Sequence, residues 1–445
     1  MTFEIKKSTQ FKINELAIVS KAGIVDISGI FEEISFFDSI FSPVRSGKIL
    51  ITDSIGLSGK LLFDGSESLL VDIVKSENSD VASYRKAYRI YKQTNRRNSG
   101  LNRESYLLHF VSDEFIFSNQ QRINQSYNGT YSKVVEKILL NYLKVPGTQL
   151  KGIFESTYGV RNVVVPNLKP LEAIDWCCKR SVDQNQAPNF IFFENYSGFN
   201  FVTLSTLLSQ EDILEINFET KNQSKTNSAQ EMSSARAFQV VEQNDAVKKI
   251  QDGINAAQFL GFDPLTGVTA TKQITFGDVY NSMKHGNQTP NHSSLTNRSG
   301  VDFQEAFASK KILGNFQSVQ ELSSYIKTNS PEIISKLDNI ENYIVQRSSI
   351  INNLMSKRLK IVMPGNFQLS SGFNVNLLAP TFSKKEIGGD NEDPSLSGKY
   401  IITSSRQIIG YDKHETIIEV ATTSTNNDFI PASNPQQTSE LLTYV

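Results

Sequence analysis

The sequence predicts an α+β chain that is mainly β: two antiparallel β-barrel units plus two α+β additions, one of them inserted in the second barrel. Three observations predict this. Short apolar, β-branched or aromatic runs divided by Gly, Asp, Ser and Asn dominate residues 1–112 and return after 357. Between 113 and 212 the apolar period changes to three and four residues. The 445 residues are also about three domains of chain.

In the first unit, 23–27, 48–52, 68–74 and 83–91 read as strands. In SYRKAYRIY, Tyr84, Lys86, Tyr88 and Ile90 alternate with Arg85, Ala87, Arg89 and Tyr91, and 106–110 can pair with this run across a polar turn at 93–103. Residues 34–41 read as one helical turn, limited by Pro43. In the second unit, Tyr131, Val134, Val135, Ile138, Leu139 and Tyr142 predict a helix over 131–144, with Thr130 as N-cap and Pro146-Gly147 ending it. Pro170 starts another helix to about Arg180, with Leu171, Ile174 and Cys178 inward. A hairpin follows, 189–194 and 200–203, around Tyr196-Ser197-Gly198.

Runs 213–220 and 235–243 read as a hairpin with a long polar loop. Residues 246–300 carry few periodic signals, and 289–300 read as exposed loop. Ser318 to Glu321 fits a capping box and Ser330-Pro331 a helix start. Leu337, Ile340, Ile344, Ile351 and Leu354 mark a long amphipathic helix ending near Lys357. Strands return at 359–363, 373–378, 399–403 and 416–421, and a polar tail follows. The expected division is 1–112 for the first β unit, 113–212 for an α+β unit, 213–245 with 357–425 for a discontinuous second β unit, 246–356 for a mainly helical or irregular insertion, and 426–445 for a flexible tail.

Composition narrows the function. Lys and Arg total 45 against 46 Asp and Glu, a net charge of -1, so nothing draws the whole chain to nucleic acid or to an anionic membrane. Hydrophobic residues at 39%, with 28 Phe and 15 Tyr, suffice for packed cores. Cys177 and Cys178 are adjacent, which rules out a disulfide framework, and His109, His285, His292 and His414 have no zinc-binding spacing. No run approaches the ~20 apolar residues of a membrane span, and the N-terminus lacks a signal-peptide core, so the expectation is a chain made in the cytoplasm without membrane insertion.

The motif order resembles the baseplate hub proteins of T-even-type contractile-tailed phages and, more distantly, the hub part of VgrG spike proteins. Phe36-Phe37-Asp38-Ser39-Ile40-Phe41, then Ser46 to Asp53 and Asp64-Gly65-Ser66-Glu67, resemble that family's opening. Ser118-Asn119 to Ile123, Ser126-Tyr127-Asn128-Gly129, Val165-Pro166-Asn167, Pro170 to Ile174 and Gly198-Phe199-Asn200-Phe201 continue the match. Arg358 to Gly365, Ser371 to Val375, Ala379-Pro380 and Ser397 to Thr403 resemble the strand set that tail-tube-like domains share. Residues 383–397, 281–300 and the tail after 425 depart from the pattern.

The resemblance implies a non-enzymatic structural protein of the virion tail baseplate, assembled in the host cytoplasm. It implies a homotrimer whose chains each supply two tail-tube-like barrels, six around the axis, so that a trimeric spike meets a hexameric tail tube. The implied partners are further copies of the chain, the spike protein, tail tube or tube-initiator proteins and baseplate wedge proteins. DNA would pass through an axial channel without specific binding. Residues 113–212 and 246–356 would lie outside or below the ring and carry spike contacts. No catalytic, cofactor or metal residue is assigned, and the channel and interface residues are not identified.

Other chemistry is weighed against plainer explanations. Glu32, Glu33, Glu114, Glu194 and the acids of 390–393 could furnish the carboxylate pair of a tail-associated cell-wall-degrading enzyme, but acidic loop residues are usually solvated. Gly388 to Asp393 lacks the ligand alternation of a calcium loop. Cys177, beside Trp176, lacks a histidine base in its unit, so both thiols read as buried and structural. Lys86, Arg85, Arg89, Arg96, Arg97 and Arg103 among Tyr84, Tyr88 and Tyr91 could touch DNA; strand alternation instead predicts aromatics inward, with cations in solvent or against an acidic neighbour. A VgrG-type spike would need further barrel and β-helix strands after the hub, and the chain stops at Val445.

Overall fold

The computed structural model describes residues 11–61, 63–74, 83–100, 102–145, 152–218, 232–243, 245–264, 267–290, 308–315, 343–380 and 392–426. Seven strands build the first β unit: β1 Lys12–Ser20, β2 Gly23–Asp26, β3 Phe31–Ser39, β4 Ser46–Asp53, β5 Ser68–Val74, β6 Ser83–Gly100 and β7 Arg103–Val111, with the one-turn helix α1 Leu57–Lys60 after β4. The α+β unit holds α2 Asp113–Gln120, β8 Ile123–Gly129, α3 Tyr131–Asn141, β9 Arg161–Leu168, α4 Pro170–Cys178, β10 Phe190–Asn195, β11 Gly198–Thr203 and α5 Leu204–Ser209. Next come β12 Asp212–Asn217, β13 Ala237–Glu242, α6 Ala246–Gln251, β14 Ala256–Phe262, β15 Thr269–Thr275, α7 Phe276–Asn281, β16 Thr289–Pro290, β17 Lys310–Asn315 and α8 Ile344–Leu354. The chain then forms β18 Arg358–Pro364, β19 Asn374–Leu378, β20 Gly398–Gly410, β21 His414–Ala421 and β22 Ser424–Thr425.

One 13-stranded sheet runs through both β units. Its order is β13-β18-β21-β20-β3-β4-β7-β6-β5-β1-β2, with β19 also on β20 and β12 on β19. The join is the antiparallel pair β20–β3, from Ser404 opposite Ser39 to Gly410 opposite Glu33. Because side chains alternate across a strand, each register partner keeps its row on one face. Ile34, Ile49 and Leu108 line up on the apolar face, as do Phe36, Gly47, Phe110 and Ile90. All these side chains are buried, with Ile409 and Phe367 of the second unit in the same cluster. Each fully buried side chain of this size contributes roughly 1.5–3 kcal/mol.

Several expectations are corrected. Residues 34–39 are strand, part of β3, not a helical turn, because β4 and β20 flank them, and Ile40 and Phe41 form the turn that follows. The 213–220 and 235–243 runs do not form a hairpin with each other: β12 pairs in parallel with β19, and β13 pairs antiparallel with β18. The polar run 93–103 is largely strand, β6 continuing to Gly100 and β7 beginning at Arg103. Residues 246–356 contain a three-stranded sheet, β15-β14-β17, besides helices. Residues 318–342, the acids up to 391 and the tail from 427 lie outside the described residues.

Thr130 does cap α3, its Oγ1 accepting from the Lys133 amide at 3.4 Å, and α4 begins at Pro170. The inward faces of α3 and α4 share a core with β8–β11, including Cys177 and Cys178. Phe193, Ile40, Phe259, Leu354, Ile401 and Ala421 form another cluster, which holds the 246–356 part against the hairpin and β20–β21. No described helix is long and apolar enough to cross a membrane.

Gly47 shows how tightly the first core closes. A Cβ there would lie 2.2 Å from the Phe110 ring and 2.5 Å from the Ser35 carbonyl oxygen. Gly47→Ala is expected to lower stability by about 1–3 kcal/mol in urea denaturation. Gly29→Ala, with nothing within 4 Å of its added Cβ, should stay within about 0.5 kcal/mol. Equal effects would contradict this packing.

Candidate functional site

The face opposite the two β cores is continuous across the sheet. Register places Lys360, Glu419, Ser404 and Ser39 in one row. Val362, Ile417, Arg406, Phe37 and Ser46 form a second, and Glu415, Ile408, Ser35, Lys48, His109 and Lys92 a third. The first two rows stay partly exposed across the β20–β3 join, whereas in the third Ile408 and Ser35 are buried there. Two of the face's arginines are paired: Arg406 lies 3.3 Å from Glu33 and stacks over Phe37 at 5.5 Å, and Arg358 bridges Glu419 at 3.2 Å and Glu242 at 2.7 Å. In the first unit Lys48, His109 and Lys92 stand side by side on three strands. Burial, then Lys92 and Lys48, hold the His109 imidazole below its ordinary value. Its Nε2 is 2.9 Å from Thr94 Oγ1.

Behind this face a buried polar joint ties three units together. Arg45, from the turn between β3 and β4, is 2% exposed. Its Nη1 donates to Tyr84 Oη at 2.7 Å, its guanidinium lies 4.8 Å over the Tyr84 ring, and its Nε is 3.6 Å from Asp38. Asp38 accepts from Ser370 Oγ at 2.6 Å and the Ser371 amide at 3.1 Å, both in the second β unit. Glu194 of β10 accepts from the Arg45 amide at 2.9 Å and Ser112 Oγ at 2.7 Å, and is also bonded by Lys86 Nζ. Burial pushes the Glu194 carboxyl up, but Lys86 and these donors outweigh it and hold it below the ordinary carboxylate range. Burial dominates at Asp38, which stays above that range despite Arg45.

The residues weighed in the sequence fall as follows. Glu114 and Glu194 come together in one cleft, whereas Glu32 is on an exposed strand position receiving Thr52 Oγ1, and Glu33 pairs with Arg406. Asp393 accepts from the Ser395 amide at 2.8 Å and hydroxyl at 2.6 Å, a local turn. Cys177 and Cys178 are buried thiols, and burial pushes Cys178 up to about 12. Tyr84 and Tyr88 do point inward, but Lys86 points inward with them and finds Glu194 in its own chain. Arg89 pairs with Asp113 at 3.0 Å and Arg96 with Glu104 at 2.9 Å, so much of this basic run is neutralised internally. Among the described residues no group of three or more His, Cys, Asp or Glu could hold a metal. Sequence reasoning missed Arg45, which follows a turn proline, and the adjacent rows that carry Lys360, Glu419 and Arg406, which only the β-pairing assembles.

No protein-family profile and no curated protein sequence matches the chain. Solved structures do. The tail protein from Neisseria meningitidis MC58 superposes with a TM-score of 0.50 at 10% identity, over 92% of this chain and 96% of that one. The 43 kDa tail protein of prophage MuSo2 from Shewanella oneidensis gives 0.48 at 10% identity, over 92% and 98%. The E. coli c3393 protein, a component of the type VI secretion system, gives 0.39 at 10% identity, over 96% and 80%. The first of these likenesses shows that the chain has a tail-protein fold.

Two measurements check the site. Arg45→Met should cost about 3–5 kcal/mol, as removal of one partner from a buried charge network does, while Arg85→Met, at a side chain 75% exposed, should cost under about 0.5 kcal/mol. The Glu194 contribution is present above its unfolded-state value and fades as pH falls through its lower native value, so the deficit of a Lys86→Met variant, which removes the ammonium bonded to Glu194, should shrink in acid. Separately, Lys92→Gln should raise the His109 pKa in an NMR titration, without full recovery because burial remains. An unmoved value would show that the three cations do not share one field.

Proposed function

We propose that this chain is a structural virion protein, the central hub of a contractile phage tail baseplate. The observation that carries the reading is the β20–β3 pairing, which fuses two β units into one sheet and gives each chain two adjoining segments of wall. Three copies about an axis would present six such segments, adapting a trimeric spike to a hexameric tail tube and templating tube assembly. The tail-protein fold over 92% of the chain supports this.

In this reading the sheet face bearing Lys360, Arg406, Lys48 and His109 lines or borders the axial channel. Its mixed surface, in which Arg406 is paired with Glu33, suits a conduit that DNA must leave, since a strongly basic wall would hold phosphate. The α+β unit and the 246–356 part then lie outside the ring, toward the spike and wedge proteins. The division into 1–112, 113–212, 213–245 with 357–425, and 246–356 is part of the proposal. A cell-wall-degrading role gains nothing from the Glu114 and Glu194 cleft, because both Glu194 oxygens are occupied by Lys86, Ser112 and the Arg45 amide.

Solution mass tests the reading. The protein mixed with the spike protein of its own tail should contain three copies of the 49.8 kDa chain, held by interfaces of about 2,000 Å² or more. A chain that stays monomeric at micromolar concentration, both alone and with that spike, would overturn it. Peptidoglycan zymography should show no clearing.

A further inference from the structure

The two β units repeat one strand order. The first runs β3-β4-β7-β6-β5-β1 and the second β13-β18-β21-β20-β19-β12. Neighbours are antiparallel in both, except that β12 lies parallel to β19 where β1 is antiparallel to β5. The register repeats as well. Ser68, Arg89, Val111, Ser46 and Phe37 form a row across five strands. Asn374, Ile401, Ala421, Arg358 and Glu242 form the corresponding row, with no residue the same in the two. Just past each row the long strand bulges at the same place, at Tyr91 between Ile90 and Lys92 in β6 and at Thr403 between Ile402 and Ser404 in β20.

Within the chain this repeat makes one junction. Past its bulge β20 keeps β21 on one side and takes β3 on the other, with Arg406 opposite Phe37. Since β6 corresponds to β20 and β13 to β3, the two halves of a second such junction are left unmatched. The pairing of β5 with β6 ends at Arg89, and among the described residues β7 alone flanks β6 from Lys92 on, as β18 alone flanks β13. No residue of 92–98 or of 239–242 is buried, so both edges are open to a further strand. Six strands separate them in the sheet, so they can meet only between copies.

We propose that β13 of one copy of this chain adds to β6 of the next, antiparallel and past the Tyr91 bulge, reproducing between copies the β20–β3 junction found within each. Three residues past the bulge, Thr94 holds the place of Arg406, and Glu242 holds that of Phe37. Thr94 of one copy therefore faces Glu242 of the next. The contact is head to tail, each copy giving a different edge, so it propagates around an axis instead of closing as a twofold pair. Main-chain pairing carries it and calls for no particular charge; the repeat selects the occupant. The inference deepens the hub reading and rests on it for the number of copies.

The test uses the full chain mixed with the spike protein of its own tail, with solution mass measured alongside. Under oxidation, Thr94→Cys combined with Glu242→Cys in one chain should give covalent species of two and three copies, because facing β carbons lie about 4.5–5.5 Å apart. The in-chain pair Phe37→Cys with Arg406→Cys, at the matching place, sets the yield to expect. Each single variant should stay uncross-linked by itself, and the two mixed should give a covalent dimer. In unaltered protein, amide hydrogen exchange in 92–98 and 239–242 should slow at least about tenfold on assembly, a readout that holds even if a variant misfolds. Cross-linking of a single variant with itself, a three-copy mass with exchange unchanged in both segments, or a double variant that assembles without cross-linking would each overturn the edge pairing and leave the hub reading standing. A chain that stays monomeric with the spike overturns both.

Discussion

The architecture depends on a buried cation. Arg45 has no route to water, and a guanidinium in that position is tolerable only if carboxylates and a phenol from other parts of the chain converge on it. The converging groups come from β3, β6 and, through the backbone amide, β10, while Asp38 reaches on to Ser370 and Ser371. Such a joint adds little net stability over an apolar plug of the same shape. What it adds is a penalty for misplacement, because any unit that docks out of register strands a charge. The apolar clusters on either side tolerate small shifts; the polar joint does not.

This division of labour accounts for the two sides of the sheet. On one side, Ile34, Ile49, Phe36 and Phe110 exclude water around Gly47, and packing sets the spacing. On the other, charges stand at intervals set by the register of seven strands: Arg406 and Arg358 are paired, while Lys48 and Lys92 flank the His109 imidazole. The rows of the two β units are aligned only because β20 and β3 share a ladder.

Much of the fold was legible in local signals. The period of Tyr131 to Tyr142, the N-cap Thr130 and Pro170 located α3 and α4, since helix signals are short-range. The alternation in SYRKAYRIY placed Lys86 on the face of Tyr84 and Tyr88, and an inward lysine already demands a partner; Glu194 lies 108 residues away and no local rule names it. Phe36 to Phe41 misled because its apolar spacing suits a helical turn as well as a strand, and the deciding neighbours are remote. The 213–243 segment misled for the same reason: proximity favoured a hairpin, yet both strands pair with the chain after 357. The candidate face was invisible throughout, because Lys360, Arg406 and Lys48 are ordinary surface residues until the ladder aligns them.

The β20–β3 ladder also sets a timetable. Ser39 and Thr403 are bonded across 364 residues of chain, so at about 5–20 residues per second a ribosome delivers the second partner roughly 20–70 s after the first. During that interval β3 has β4 on one side and open backbone donors and acceptors on the other. An edge of that kind recruits any extended strand it meets, including the same strand of a sister chain on a neighbouring ribosome. The seam that unifies the finished sheet is thus an open edge in the nascent protein until Gly398–Gly410 arrives.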